Sequence, residues 1–238
     1  MTAILLLSLV LGLRHGMDPD HLTAIDGLSR FRPKATNGLF FALGHGLVVT
    51  ALTIGIGATL SEQVEPFAPW LLILIGAINL WKLIRRSRLV ASSNRPVILQ
   101  PFLLGMLLAA GFETSSQLSV FLLASHTSPL LLGTAFTLGM VLTDGLDGYL
   151  AASTQWRAVG GQLNAQVASQ ALGLIVVLFS FGLGGAELIG FDTDHFALPL
   201  GLVLFAFVIT TRIWGRTNAR FAVAEQILER LRLCPIRN

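Results

Sequence analysis

The sequence predicts an all-α polytopic transmembrane bundle of about seven spans, with kinked or interrupted helices at spans one, four and five. Three observations predict it. The 238 residues are 53% apolar and only 12% charged, where a soluble domain carries about 25% charged residues; the mean hydropathy is +0.73. Seven apolar stretches are long enough for a bilayer crossing, which takes ~20 residues. The basic residues fall almost entirely in alternate connections between those stretches.

The spans run approximately 3–27, 38–60, 67–84, 98–125, 129–152, 164–190 and 196–214. They form one transmembrane domain, 1–215, followed by a basic tail, 216–238. The first thirteen residues resemble the apolar part of a signal peptide, but no basic segment precedes them and no small-x-small cleavage site follows. They read as the first half of a retained span. The second and third spans are clean, whereas polar residues interrupt the first, fourth and fifth. Tail residues 219–233 have the pattern of a short amphipathic helix lying on the membrane surface as readily as that of a solvated basic tail.

Fifteen of the sixteen Lys and Arg residues lie on one side of a seven-span chain. They follow span one (Arg30, Arg32, Lys34), span three (Lys82 to Arg95), span five (Arg157) and the end of span seven (Arg212 onward). The positive-inside rule then puts the N-terminus outside and the C-terminus in the cytoplasm of a bacterial cytoplasmic (inner) membrane. The net charge of +3 reflects this topology and does not imply a nucleic-acid partner. One cysteine, Cys234, excludes an internal disulfide, a four-cysteine zinc site and a dithiol relay.

Span one carries Arg14-His15-Gly16-Met17-Asp18-Pro19-Asp20-His21. Charge in hydrocarbon is costly, so such residues face a protein interior and mark an ion or substrate path. Two imidazoles and two carboxylates within seven residues have the donor chemistry for a divalent transition metal. At ~1.5 Å per residue, His15 lies ~18 Å into the span, near the bilayer midplane. Pro19 lacks a donor and clashes with the carbonyl of His15, so the helix kinks or breaks there. The break is expected to free backbone carbonyls to meet a cation. Asp26, further along, has the chemistry of a ligand but reads better as a cap of the inner end.

Span two carries His45 between Gly44 and Gly46, glycines that permit close helix approach. Span four carries Glu113 and Gln117, one turn apart on one face. In span five, Asp144 and Asp147 are also one turn apart. Two carboxylates so close repel, which calls for a positive neighbour; Arg14 and a metal ion are the candidates. The excess of carboxylate over Arg14 inside the bilayer favours a cation over an anion. Imidazole plus carboxylate suits nickel, cobalt, zinc, iron or manganese. The candidate metal-binding residues are therefore His15, Asp18, Asp20, His21, His45, Glu113, Asp144 and Asp147, with Arg14, Pro19 and Gln117 in structural or charge-balancing roles. Asp192, Asp194 and His195 read as an ordinary acidic outer loop, and His126 belongs to no cluster.

These residues resemble the motifs of the nickel/cobalt transporter family. The family's R-H-A-x-D-A-D-H-I is similar to Arg14 through Leu22. F-x-L-G-H-S-x-V-V is similar to Phe41 through Val49, L-G-F-D-T-A-T-E to Ala110 through Gln117, and G-M-x-L-x-D-T-x-D-G to Gly139 through Gly148. The four motifs stand in family order across residues 14–148. The resemblance implies a permease that brings Ni2+ or Co2+ into the cell, with His15, Asp18, Asp20 and His21 central and His45, Glu113, Asp144 and Asp147 supporting. Glu113 and Gln117 depart from the family's Asp and Glu, and Gly16 and Pro19 replace alanines. The chain is expected to be a short member lacking the family's usual first span.

An enzyme is not expected. His15 and Asp20 form the His-x4-Asp pattern of glycerolipid acyltransferases, the rival reading from a different class, but the Pro-Glu-Gly partner motif is absent. His-Glu-x-x-His is also missing, which excludes that class of metalloprotease. Metal efflux by a related permease is the alternative within the transporter class; the His-rich loop common in such exporters is absent. No phosphate-binding loop of the Gly-x4-Gly-Lys-Ser/Thr kind appears, so no ATPase function or subunit is evident. The expected partners are the metal cation and the lipid bilayer, with no resident cofactor.

Overall fold

The computed structural model describes residues 2–55, 65–85, 99–111, 127–191, 196 and 199–216. Among these residues there are eight α-helices and no strand. They are α1 (Thr2–His15), α2 (Pro19–Phe31), α3 (Asn37–Thr53), α4 (Ala68–Arg85), α5 (Leu99–Gly111), α6 (Pro129–Val159), α7 (Leu163–Leu188) and α8 (Pro199–Arg216). A 3-10 turn at Glu65–Phe67 leads into α4. Helices α6, α7 and α8 are each long and apolar enough to cross a membrane, and α1, α3, α4 and α5 contain shorter apolar helices.

Polarity is inverted relative to a water-soluble fold. Leu6, Leu142, Leu178 and Val203 lie on the outside, while His15, His21, His45, Asp144, Asp147 and Arg212 are all 0% exposed. An apolar exterior around a charged interior is what a hydrocarbon surrounding demands. Helix α6 packs along both α1 and α3, α3 also packs on α5, and α2 lies against α6 and α7. Apolar clusters fill the remaining interior. One joins Ala42, Val49, Leu132, Phe136 and Met140; a second joins Ala24, Ile25, Phe41, Leu72 and Leu108. Leu22, Leu172, Leu204 and Val208 join α2 to α7 and α8.

The chain stops being helical between His15 and Pro19. Pro19 takes the first position of α2, where its missing N–H costs nothing. The end of α1 leaves carbonyls without helical donors, and each of the last four is satisfied. Gly16 N–H donates to Gly12 O at 3.1 Å, Met17 N–H to Arg14 O at 2.9 Å and Asp18 N–H to His15 O at 2.9 Å. The Thr143 hydroxyl donates to Leu13 O at 3.1 Å. Local turns and one threonine of α6 thus give each of these carbonyls a donor.

Span five is not interrupted. Helix α6 runs unbroken from Pro129 to Val159 through Asp144 and Asp147. It contains no internal proline, and both aspartates find partners on neighbouring helices, so nothing forces an interruption.

Glycines set the closest crossings. A Cβ on Gly38 of α3 would collide with the Asp144 carbonyl of α6, and one on Gly148 would meet the backbone of Gly38. Gly12 of α1 and Gly139 of α6 face each other's helix backbone in the same way. Such small-residue crossings replace the hydrophobic drive that lipid-embedded helices lack. Gly38→Val is expected to force α3 from α6 at Asp144 and to destabilise the purified protein by about 1–3 kcal/mol. A thermal-unfolding midpoint in detergent equal to that of the unaltered chain would contradict this contact.

Candidate metal centre

The break in span one brings the ends of two helices to one place. His15 closes α1 and His21 lies in the first turn of α2. His45 comes from the middle of α3. Ring centroids are 4.5 Å apart for His15 and His21, 4.9 Å for His15 and His45, and 4.5 Å for His21 and His45. One nitrogen from each ring lies within 4.8 Å of the other two. The Phe136 ring lies tilted at 5.4 Å from His15 and the Phe41 ring edge-on at 5.0 Å from His21, giving the cluster apolar walls.

Carboxylates fix two of the rings. His15 Nδ1 lies 2.8 Å from Asp18 Oδ2, and His21 Nδ1 lies 3.0 Å from Asp144 Oδ2. An imidazole donating from Nδ1 to a carboxylate keeps its lone pair on Nε2, the arrangement that orients metal-binding histidines. The Nε2 of His15 then meets the Nε2 of His45 at 3.0 Å. The Nε2 of His21 is buried with no hydrogen-bond partner among the described residues. Two nitrogens 3.0 Å apart subtend about 90° at an ion held ~2.1 Å from each. That is the angle of neighbouring positions in an octahedral or square-planar ion. The centre can thus hold one transition-metal cation through imidazole nitrogens.

The remaining expected residues divide. Asp18 precedes α2 as its N-cap, but its side chain makes no capping bond and is spent on His15 instead. Asp20 is buried in the same turn, within electrostatic range of His21 and Asp144, with Oδ2 unpartnered among the described residues. Asp147 does not join the histidines. It pairs with Arg212 of α8, whose guanidinium donates to both the carboxylate and the backbone carbonyl of Asp147. The positive neighbour of Asp147 is therefore Arg212; Arg14 is half-buried at the end of α1. Glu113 and Gln117 lie outside the described residues, as do His126, Asp192 to His195 and the tail beyond Arg216.

Arg212 is the residue that sequence reasoning misplaced. It was grouped with the basic tail, yet it is completely buried. The signal was its position inside the apolar stretch 196–214, two residues before the stretch ends. Asp26 changes role with it. Rather than capping α2, it accepts from Arg212 at 2.9 Å and from Arg30 at 3.0 Å. Arg30 also donates to the Ser169 carbonyl on α7.

Fold and site together define a helical membrane protein with a buried imidazole–carboxylate centre suited to a metal cation. Residues 1–65 match the model of the family described as high-affinity nickel-transport protein. A high-affinity nickel transport protein of Cupriavidus necator is 28% identical over 81% of this chain and 71% of its own length. A nickel transporter of Staphylococcus aureus is 28% identical over 60% of this chain, which spans 59% of that protein. A cobalt transport protein of Rhodococcus rhodochrous is 42% identical, over 25% of this chain and 19% of its own. No solved structure matches. The chain is thus similar to proteins named as nickel and cobalt transporters.

The acyltransferase pattern finds no support in the geometry either. His15 pairs with Asp18 and not with Asp20, and its second nitrogen faces another imidazole. Asp144→Asn is expected to weaken Ni2+ binding to the purified protein by about 10–100-fold, because the His21 ring loses its charged anchor. Titration calorimetry checks this, and an unchanged affinity would remove Asp144 from the centre.

Proposed function

We propose that this chain is a secondary-type permease that carries Ni2+ or Co2+ into the cell across the bacterial cytoplasmic membrane. The observation that carries the reading is the meeting of His15, His21 and His45, from three helices, with one nitrogen from each within 4.8 Å of the others. Three imidazoles packed together inside an apolar bundle have no evident structural need, and their nitrogens suit a divalent transition metal. The relatives, which are named as nickel and cobalt transporters, support the same cargo.

In this reading the dication enters from outside, exchanges hydration oxygens for the three imidazoles, and leaves toward the cytoplasm. Asp18 and Asp144 hold His15 and His21 in register, and Asp20 supplies negative charge beside them. Asp147 acts with Arg212. Glu113 keeps a supporting role and Gln117 a charge-balancing one in the same reading. Pro19 fixes the break that lets His15 and His21 face one another. The chain is one seven-span domain, 1–215, with the N-terminus outside and a cytoplasmic basic tail, 216–238. An inward-negative potential favours entry of a dication by ~4.6 kcal/mol per 100 mV. The proposed partners are the cation and the surrounding lipid, with neither a resident cofactor nor an ATPase subunit.

Cells expressing the chain are expected to accumulate nickel, measured by mass spectrometry, in proportion to its abundance in the membrane. His15→Ala and His21→Ala are each expected to abolish accumulation while the protein still inserts. Undiminished uptake by a well-expressed His21→Ala variant would refute the mechanism. Competition among Ni2+, Co2+, Zn2+ and Mn2+ then ranks the cargo.

A further inference from the structure

The interior polar groups continue past the histidines. On α2, Asp20, Thr23, Asp26 and Arg30 follow one another at helical spacing, and all four are buried. On α6, Asp144 and Asp147 occupy successive turns of one face. The two rows meet through α8, where the Arg212 guanidinium bridges Asp147 and Asp26. The rows begin at the histidine centre and end at Arg30, beside the basic connection that holds Arg32 and Lys34. Four oxygens along the way are buried without a hydrogen-bond partner among the described residues: Asp20 Oδ2, Thr23 Oγ1, Asp144 Oδ1 and Asp147 Oδ2. Leaving such groups unmatched in an apolar bundle is costly. Oxygen donors in sequence along a buried seam are what a cation moving through needs.

We infer that the seam between α2 and α6 is the exit half of the cation route, and that Arg212 is its gate. The inference deepens the permease reading above and rests on it. A guanidinium is charged at every working pH. While it bridges Asp147 and Asp26, it occupies the carboxylates that a departing dication must meet and repels that dication. Passage requires Arg212 to leave at least one of them. Arg212 bonds to Asp147 and Asp26, whereas His15 and His21 take Asp18 and Asp144, so its role is in movement away from the centre and not in binding at it.

The test separates binding from transport. Ni2+ titration of the purified Arg212→Gln protein is expected to give an affinity close to that of the unaltered chain. Nickel uptake by the same variant is expected to fall by about tenfold or more, because a dication that reaches Asp147 and Asp26 is held there with no guanidinium to return and release it. Arg212→Lys keeps the charge but cannot fork to both carboxylates, and its uptake should lie between the two. A reporter cysteine, Thr23→Cys in a Cys234→Ser background, reads the seam directly. With Arg212→Gln it should react faster with a membrane-impermeant thiol reagent in inside-out vesicles, and no faster in right-side-out ones. Undiminished uptake by Arg212→Gln overturns the assignment. So does a parallel loss of binding and uptake with reactivity raised equally from both sides. If Arg212→Gln does not accumulate, Arg212→Lys decides: lowered uptake with intact binding supports the gate, and unchanged uptake overturns it. An unaltered chain that neither binds nor accumulates nickel overturns instead the permease reading beneath.

Discussion

Ionisable side chains at the centre of an apolar bundle must be satisfied by one another, and that requirement organises the rest of the structure. His15 takes Asp18, His21 takes Asp144, and Arg212 takes Asp147 and Asp26. Each pairing joins groups that are separately too costly to bury. The meeting of His15 with His21 depends on the helix ending at His15. In an unbroken helix the residues of this motif fan out around the axis. The break at Gly16–Asp18 lets the last ring of α1 and the first-turn ring of α2 stand 4.5 Å apart.

The break makes its own demands. Carbonyls at a helix end inside an apolar surrounding need donors, and the local turns plus Thr143 supply them. Thr143 adjoins Asp144, so one stretch of α6 both closes the end of α1 and anchors His21. That stretch reaches both places only because glycines let the helix backbones touch. Gly38 admits the Asp144 backbone, and Gly12 with Gly139 draws α6 against α1. The chemistry at the histidines and the spacing of the helices are thus one problem with one solution.

Much of this was legible in the sequence. Helices α3, α4, α6, α7 and α8 fall close to the apolar stretches that composition marked, and His15, His21 and His45 stood out as polar residues that hydrocarbon does not tolerate. Pro19 marked where the first span divides. What could not be read were pairings between residues distant in the chain. His21 and Asp144 are 123 residues apart, and Asp26 and Arg212 are 186 apart. No local spacing encodes either pair. Asp18, Asp20 and Asp144 therefore looked alike from the sequence, although Asp18 and Asp144 brace imidazoles and Asp20 does not. Asp26 resembled a cap because its distant partner was invisible. Arg212 was misplaced because charge at the end of an apolar stretch ordinarily reports topology, and here it reports burial.

The 3.0 Å contact between the Nε2 atoms of His15 and His45 has a consequence for discrimination. Two imidazole nitrogens that close are bonded only if one carries the hydrogen and the other accepts it. Any ion that takes both must first break that bond and displace its hydrogen. Magnesium and calcium prefer oxygen and gain little from nitrogen, so they lack the means to do it. Ions later in the first transition series bind imidazole strongly enough. On the proposed permease reading, the histidine pair would therefore admit ions that bind imidazole strongly and disfavour magnesium and calcium by donor chemistry before size matters.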